Sequence, residues 1–257
     1  MFMEERQKEI LRRVHEDGRI SVSEIQSLYQ VSADCARRDL RLLESRGLLQ
    51  RTHGGAIAAS PKGIFPPKGY TPDPSVQEKP GYLAVAKKAL SYIQPHNVVY
   101  LTTSSLGYLM ALCWPDTLEA TVLVNSLAIA DVLRKKDGVS LVFLGGGMSH
   151  RGNCHDFYTV QMVRNLQIDQ AFLSHTGFSL DFGASLHDSA GMEFARAVME
   201  NSSMNIGLYP SDKLGRNSLH RVCHAVEYDL LITDQQAPED FLLQAQELGI
   251  SCQVAGE

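Results

Sequence analysis

The sequence predicts an α/β protein in two parts, an N-terminal winged helix-turn-helix joined to a larger α/β domain with a mostly parallel sheet. Three observations predict it. The first sixty residues carry apolar positions at helical spacing between capping signals and close on Gly54-Gly55. Five of the ten prolines then fall within residues 60–75, the composition of a stiff, extended connector. Beyond it, short all-apolar runs alternate with helical patterns, as in a parallel sheet covered on both faces. The expected bounds are 1–59 for the small domain, 60–75 for the linker and 76–257 for the large one.

Ile10, Leu11 and Val14 mark a first helix over Met3–Asp17, stopped by Gly18. Ser21 with Glu24 three residues on is a capping box opening a short helix through Tyr29. Ser32 opens a third helix, Ala33 to about Ser45, with Ala36, Leu40 and Leu43 facing inward and Gly47 ending it. Leu48–His53 reads as a strand, Gly54-Gly55 as a tight turn and Ala56–Ala58 as the returning strand. In the large domain the expected strands are Val98–Leu101, Val122–Val124, Leu141–Leu144, Ala171–Leu173, Asn205–Leu208, Leu230–Ile232 and Ser251–Val254. Helices are expected at 76–93, 106–113, 126–135, 158–167, 188–202 and 239–248.

The net charge of −5 argues at first against a nucleic-acid partner. Its distribution tempers that objection and permits such a partner without pointing to one. Residues 1–60 hold 10 Lys/Arg and 9 Asp/Glu, and within 31–53 five arginines face three acids. A DNA reader needs positive charge only where phosphates lie. No apolar run approaches the ~20 residues that span a bilayer, and the charged start argues against a secretory signal. Five scattered cysteines without a C-x-x-C pair read as reduced thiols, so a cytoplasmic location is expected.

A short helix, a tight turn and a second helix let the second enter the major groove, with its first turn facing base edges. Candidate DNA contacts are Ser21, Ser32, Ala33, Asp34, Cys35, Arg37, Arg38, Arg41, Arg51 and His53. Arg37 and Arg38 suit phosphates or guanine edges, and Ser32 with the amides beside it suits a phosphate. Arg51 and His53 fall on the expected wing. An ordinary surface helix, with Asp34 paired to Arg38, is the plain alternative.

In the large domain, polar or glycine-rich stretches follow several strands. Thr102-Thr103-Ser104-Ser105 opens a helix, where amides, dipole and hydroxyls suit phosphate, though a plain helix cap fits equally. Asn125-Ser126 opens another, and Gly145-Gly146-Gly147 follows a third strand. Ligands of open parallel sheets gather at such carboxyl ends. Lys213 could neutralise a phosphate, although a lone lysine is commonly a solvated loop residue. Asp234 could cap the next segment or accept a sugar hydroxyl. The candidate effector contacts are therefore Thr102, Thr103, Ser104, Ser105, Asn125, Ser126, Gly145, Gly146 and Lys213. His150 to Asp156 lacks a matching second ligand pair, so no metal and no cofactor are expected. Trp114 reads as packing or an interface.

The run from Glu5-Arg6-Gln7 through Ile10-Leu11, Glu24-Ile25, Val31-Ser32, Arg37-Arg38-Asp39-Leu40 and Arg51-Thr52-His53-Gly54-Gly55-Ala56 resembles the N-terminal signature of the DeoR family of bacterial sugar-operon regulators. Cys35-Ala36 stands where that family usually has Thr-Ile. The large domain is similar to the family's sensor, a phosphosugar-isomerase-like fold, at Glu78-Lys79, Val124 to Leu127, Leu144 to Gly146, Asp169 to Phe172, Gly177-Phe178, Lys213 to Gly215 and Ile232 to Asp234. The resemblance implies a repressor that binds double-stranded operator DNA as a homo-oligomer, dimer or tetramer, and answers to a phosphorylated sugar. It departs in the candidate crevice. Leu101 and Thr103 replace the Asp and Gly of an Asp-x-Gly-Thr-Thr loop, Pro210 replaces an Asp, and Asp156 a Gly. Two other readings stand beside it: a sugar-phosphate isomerase, disfavoured by the missing carboxylate at Leu101, and an oligomerisation domain that has lost its ligand.

Overall fold

A computed structural model describes residues 3–45, 49–52, 54–58 and 79–256. The expected linker 60–75, the helix stop at Gly47 and the wing residue His53 lie outside the described residues. The chain divides into two compact units, Met1–Lys62 and Gly63–Glu257.

The first unit runs α1 (Met3–Asp17), β1 (Arg19–Ser21), α2 (Val22–Tyr29), α3 (Ala33–Ser45), β2 (Leu49–Thr52) and β3 (Gly55–Ala58). Gly18, at φ +75°, takes the left-handed conformation that ends α1. The capping box at α2 is complete: Glu24 N–H donates to Ser21 Oγ at 3.1 Å and Ser21 N–H to the Glu24 carboxylate at 2.6 Å. At α3, Cys35 N–H donates to Ser32 Oγ at 3.2 Å. Ile10, Val14, Ile25, Ala36, Leu40 and Leu43 are buried together beneath the sheet residues Ile20, Leu49 and Ala56.

Two details differ from the expected hairpin. Arg19–Ser21 forms a third strand, so the sheet order is β1-β3-β2, antiparallel throughout. Gly55 belongs to β3 rather than to a turn, pairing with both Thr52 and Ser21. A Cβ there would collide with the carbonyl oxygen of Ile20. Its glycine therefore serves close strand approach, a use that Gly-Gly shares with tight turns in sequence.

The second unit is built on seven parallel strands in the order β13-β12-β10-β7-β4-β5-β6. In chain order these are β4 (Val98–Leu101), β5 (Ala120–Val124), β6 (Val139–Phe143), β7 (Ile168–Leu173), β10 (Ser202–Leu208), β12 (Leu230–Asp234) and β13 (Cys252–Ala255). Helices α4 (Pro80–Leu90), α5 (Ser105–Leu112) and α6 (Leu127–Leu133) cover one face. Helices α7 (Phe157–Val163), α8 (Ser189–Glu200) and α9 (Glu239–Glu247) cover the other. Alternation along β4 sends Val99 and Leu101 into the first core and Tyr100 into the second. Trp114 is packing: it is buried, and its indole N–H donates to Leu118 O at 3.1 Å.

The sequence reading did not foresee a separate three-stranded antiparallel sheet. It consists of β8 (Gly177–Ser179), β9 (Gly183–Leu186) and β11 (His220–Cys223), in the order β11-β9-β8. Its strands are three or four residues long, too short to show a period. All five cysteines are free. Among the described residues no helix is long and apolar enough to cross a membrane, and no three His, Cys, Asp or Glu side chains are grouped to hold a metal ion.

Candidate DNA-reading face and effector crevice

α3 presents Ser32, Asp34, Arg37, Arg38 and Arg41 to solvent, while Ala36, Asp39 and Leu40 are buried. Asp34 pairs with Arg37 at 3.6 Å, not with Arg38, and both partners are exposed. Arg38 has no ion-pair partner among the described residues. Arg41 Nε donates to Arg37 O at 3.4 Å. On the wing, the Arg51 guanidinium lies 3.6 Å from Glu44, and its backbone N–H donates to the same carboxylate at 3.0 Å. Ala33 is half-buried. Cys35, also half-buried, turns to α1, where its Sγ lies 3.4 Å from Arg6 Nη2. Ser21 Oγ is engaged in the capping box.

The sequence reading missed what holds this face outward. Arg6 Nε meets Asp39 Oδ2 at 2.6 Å with both side chains buried, and Gln7 Nε2 donates to Asp39 Oδ1 at 3.2 Å. The signal was present: Arg6, Ile10 and Val14 are spaced by four, which puts Arg6 on the buried stripe of α1.

In the second unit the chain winds outward both ways from the β4–β7 pair, which makes the carboxyl ends of those strands the switch point of the sheet. Thr102 is buried there, its hydroxyl donating to Ser174 O at 3.2 Å. Thr103, Ser104 and Ser105 are half-buried. Ser104 caps α5 by accepting from Leu106 N–H at 3.2 Å.

Lys213 is no solvated loop residue: it is 7% exposed. Its ammonium donates to Ser174 Oγ at 2.8 Å and His175 O at 3.1 Å. Both acceptors are neutral, and burial pulls the group down to about 8. The neighbouring His175 is also buried. Its Nδ1 lies 2.8 Å from the Tyr209 hydroxyl and 3.2 Å from that of Tyr228. Burial, with the Lys213 charge, holds its pKa down to about 3, so the ring is neutral. The aromatic pair thus braces the backbone that faces Lys213. Asp234 caps, accepting from Ser211 and Gln236 N–H at 2.9 and 2.8 Å.

The other candidates lie further along the sheet and are differently engaged. Asn125 is buried; Tyr100 OH donates to its Oδ1 at 3.0 Å, and its Nδ2 donates to Cys154 O at 2.6 Å. Ser126, also buried, is bridged to Asn153. The segment Gly152–Cys154 therefore lies over the ends of β5 and β6, tied down by Leu127 N–H to Gly152 O and Cys154 N–H to Asn125 O. Gly145 has open space above it, whereas the space above Gly146 is filled by Asp156 and Thr159.

A small winged reader with an arginine-lined helix, followed by a doubly wound domain with a polar switch-point crevice, defines a two-part transcription regulator. Residues 6–62 match the DeoR-like helix-turn-helix domain, and residues 78–235 match the DeoR C terminal sensor domain. The chain belongs to the DeoR family of transcriptional regulators. It is 28% identical to a putative aga operon transcriptional repressor of Escherichia coli O157:H7, over 98% of this chain and 94% of that one. It is 30% identical to the transcriptional repressor GlcR of Bacillus subtilis, over 94% and 92%. It is 26% identical to the L-fucose operon activator of Haemophilus influenzae, over 93% and 94%.

Proposed function

We propose that this regulator represses an operon for the catabolism of a sugar or sugar derivative, and that a phosphorylated sugar bound at the β4–β7 switch point releases it from its operator. The observation that carries the reading is Lys213, a buried ammonium whose hydrogen bonds go to a hydroxyl and a carbonyl rather than to a carboxylate. A buried cation with no carboxylate hydrogen-bonded to it, beside a hydroxyl-rich helix start, is suited to receive an anion. The names of two similar regulators support parts of the reading, one as an operon repressor and the other, an activator, as a regulator of an L-fucose operon. α3 enters the major groove, with Arg37 and Arg38 at bases or phosphates and Ser32, Arg41, Arg51 and His53 at the backbone. Paired half-sites call for a homo-oligomer, dimer or tetramer, whose arrangement the effector shifts. The protein acts in the cytoplasm.

Genomic mapping of the tagged protein identifies the operator and, from neighbouring genes, the sugar. Calorimetry of the purified protein against a panel of sugar phosphates then tests the effector. Specific binding with loss of operator retention is expected; binding that leaves retention unchanged would overturn the release mechanism.

A further inference from the structure

His175 is the second residue after β7, and the two edges of its ring have different surroundings. The inner edge is fixed. Nδ1 lies 2.8 Å from the Tyr209 hydroxyl and 3.2 Å from that of Tyr228, and the two hydroxyls lie 2.9 Å apart. Tyr209 stacks on Phe178 with ring centroids 4.6 Å apart, and all three aromatic rings are buried, so the imidazole is held in one orientation. The outer edge is open. Nε2 has no hydrogen-bond partner among the described residues, and it is not sealed from solvent; the 8% of the residue left exposed includes this nitrogen.

A phenol is a better hydrogen-bond donor than an imidazole N–H. With Tyr228 donating to Tyr209 and Tyr209 to Nδ1, each hydroxyl donates once, and the neutral ring carries its one hydrogen on Nε2. The ring thus offers a fixed, uncharged donor, which suits a sugar oxygen. Lys213 shares this strand end. Its Nζ lies 3.1 Å from the carbonyl oxygen of His175 itself, and its charge acts on the ring. No strand intervenes. Bond lengths within one residue then place Nε2 no more than about 10 Å from the ammonium, a separation that one phosphorylated sugar bridges.

We infer that His175 is an effector-contact residue: its Nε2–H donates to a hydroxyl or ring oxygen of the sugar whose phosphate is held at Lys213. This rests on the effector reading above. Lys213 supplies the charge for the phosphate and His175 reads the sugar attached to it, so the pair distinguishes a sugar phosphate from inorganic phosphate.

Calorimetry of the full-length protein with inorganic phosphate, hexose 6-phosphates and pentose 5-phosphates tests it, with two substitutions whose folding far-UV circular dichroism reports. His175→Asn keeps a polar atom at the position of Nδ1 and removes Nε2. His175→Gln keeps an N–H donor at the position of Nε2 and loses the atom that faces the tyrosines. The preferred sugar phosphate should bind about three- to tenfold more weakly to His175→Asn and within about twofold of the original to His175→Gln, with inorganic phosphate unchanged in both. The opposite order overturns the inference, leaving the ring as a brace and the effector reading standing. Equal weakening of sugar phosphate and inorganic phosphate overturns it too. Sugar phosphates that fail to bind the unaltered protein overturn the effector reading, and this inference with it.

Nitrogen-15 NMR of the unaltered protein, labelled at histidine, reads the contact without any substitution. His175 is recognised as a ring that stays neutral at pH 5, where an ordinary histidine is protonated. Its Nε2 signal should be that of a protonated nitrogen and should shift on saturation with the sugar phosphate but not with inorganic phosphate. An Nε2 signal unmoved by a bound sugar phosphate overturns the contact.

Discussion

The Arg6 guanidinium and the Asp39 carboxylate meet at 2.6 Å inside the small domain, tying the start of α1 to the middle of α3. Asp39 follows Arg37 and Arg38 directly, so holding it inward turns the two arginines to solvent. Removing one partner of a buried pair strands the other charge, at a cost of about 3 kcal/mol. Arg6→Leu should therefore lower the unfolding midpoint of the winged domain and weaken operator binding. Arg6→Leu combined with Asp39→Leu should recover most of the midpoint. Differential scanning calorimetry with operator retention checks both, and an unchanged midpoint for Arg6→Leu would remove the pair from the account.

Arg37→Ala with Arg38→Ala should abolish operator retention while circular dichroism stays unchanged, since both side chains are exposed and the core beneath them is not disturbed. If both touch phosphate, the slope of log affinity against log salt should become shallower by about 2. Loss of retention accompanied by loss of helix signal would point to misfolding instead. Full retention would remove α3 from the groove.

Gly55→Ala probes the wing. The added methyl would collide with the Ile20 carbonyl oxygen where β1 crosses β3. Backbone cannot yield as a side-chain tip can, so a loss of more than about 2 kcal/mol is expected for the small domain. Gly54→Ala, with nothing within 4 Å of its Cβ, should cost much less. Equal effects of the two changes would show that strand crossing is not what selects glycine at 55.

The contrast between those two glycines shows where sequence reading stops. Period and capping placed α1, α2 and α3, because Ile10, Val14, Ala36 and Leu40 alternate with polar residues at helical spacing and Ser21 with Glu24 carries its own geometry. The seven parallel strands were legible as apolar runs because both faces are covered. What spacing cannot show is long-range: that Arg19–Ser21 pairs with β3, that β8, β9 and β11 form their own sheet, or that Asn125 spends its amide on Cys154, twenty-nine residues away. For Lys213 the sequence left a phosphate contact and a solvated loop residue both open, because local sequence carries no information about the Ser174 and His175 groups that bury it.

Lys213 also sets a pH dependence. Its ammonium falls to about 8 because burial disfavours the charged form. A phosphate ester binds the charged form, so affinity should hold through pH 7 and fall as pH rises through 8. From pH 7 to pH 9 the protonated fraction drops about tenfold, and the dissociation constant should rise by about the same factor. The same shift acts on stability with a definite sign. Unfolding restores the ordinary value of 10.5, so the buried charge is destabilising below pH 8, and that penalty fades as pH climbs toward 10.5. Lys213→Met should consequently leave the unfolding midpoint at pH 7 unchanged or raised, while removing both effector binding and the alkaline limb. Calorimetric titrations at pH 7, 8 and 9 on both proteins read these outcomes together. An alkaline limb that persists in Lys213→Met would assign the dependence to another group and take the phosphate away from this lysine.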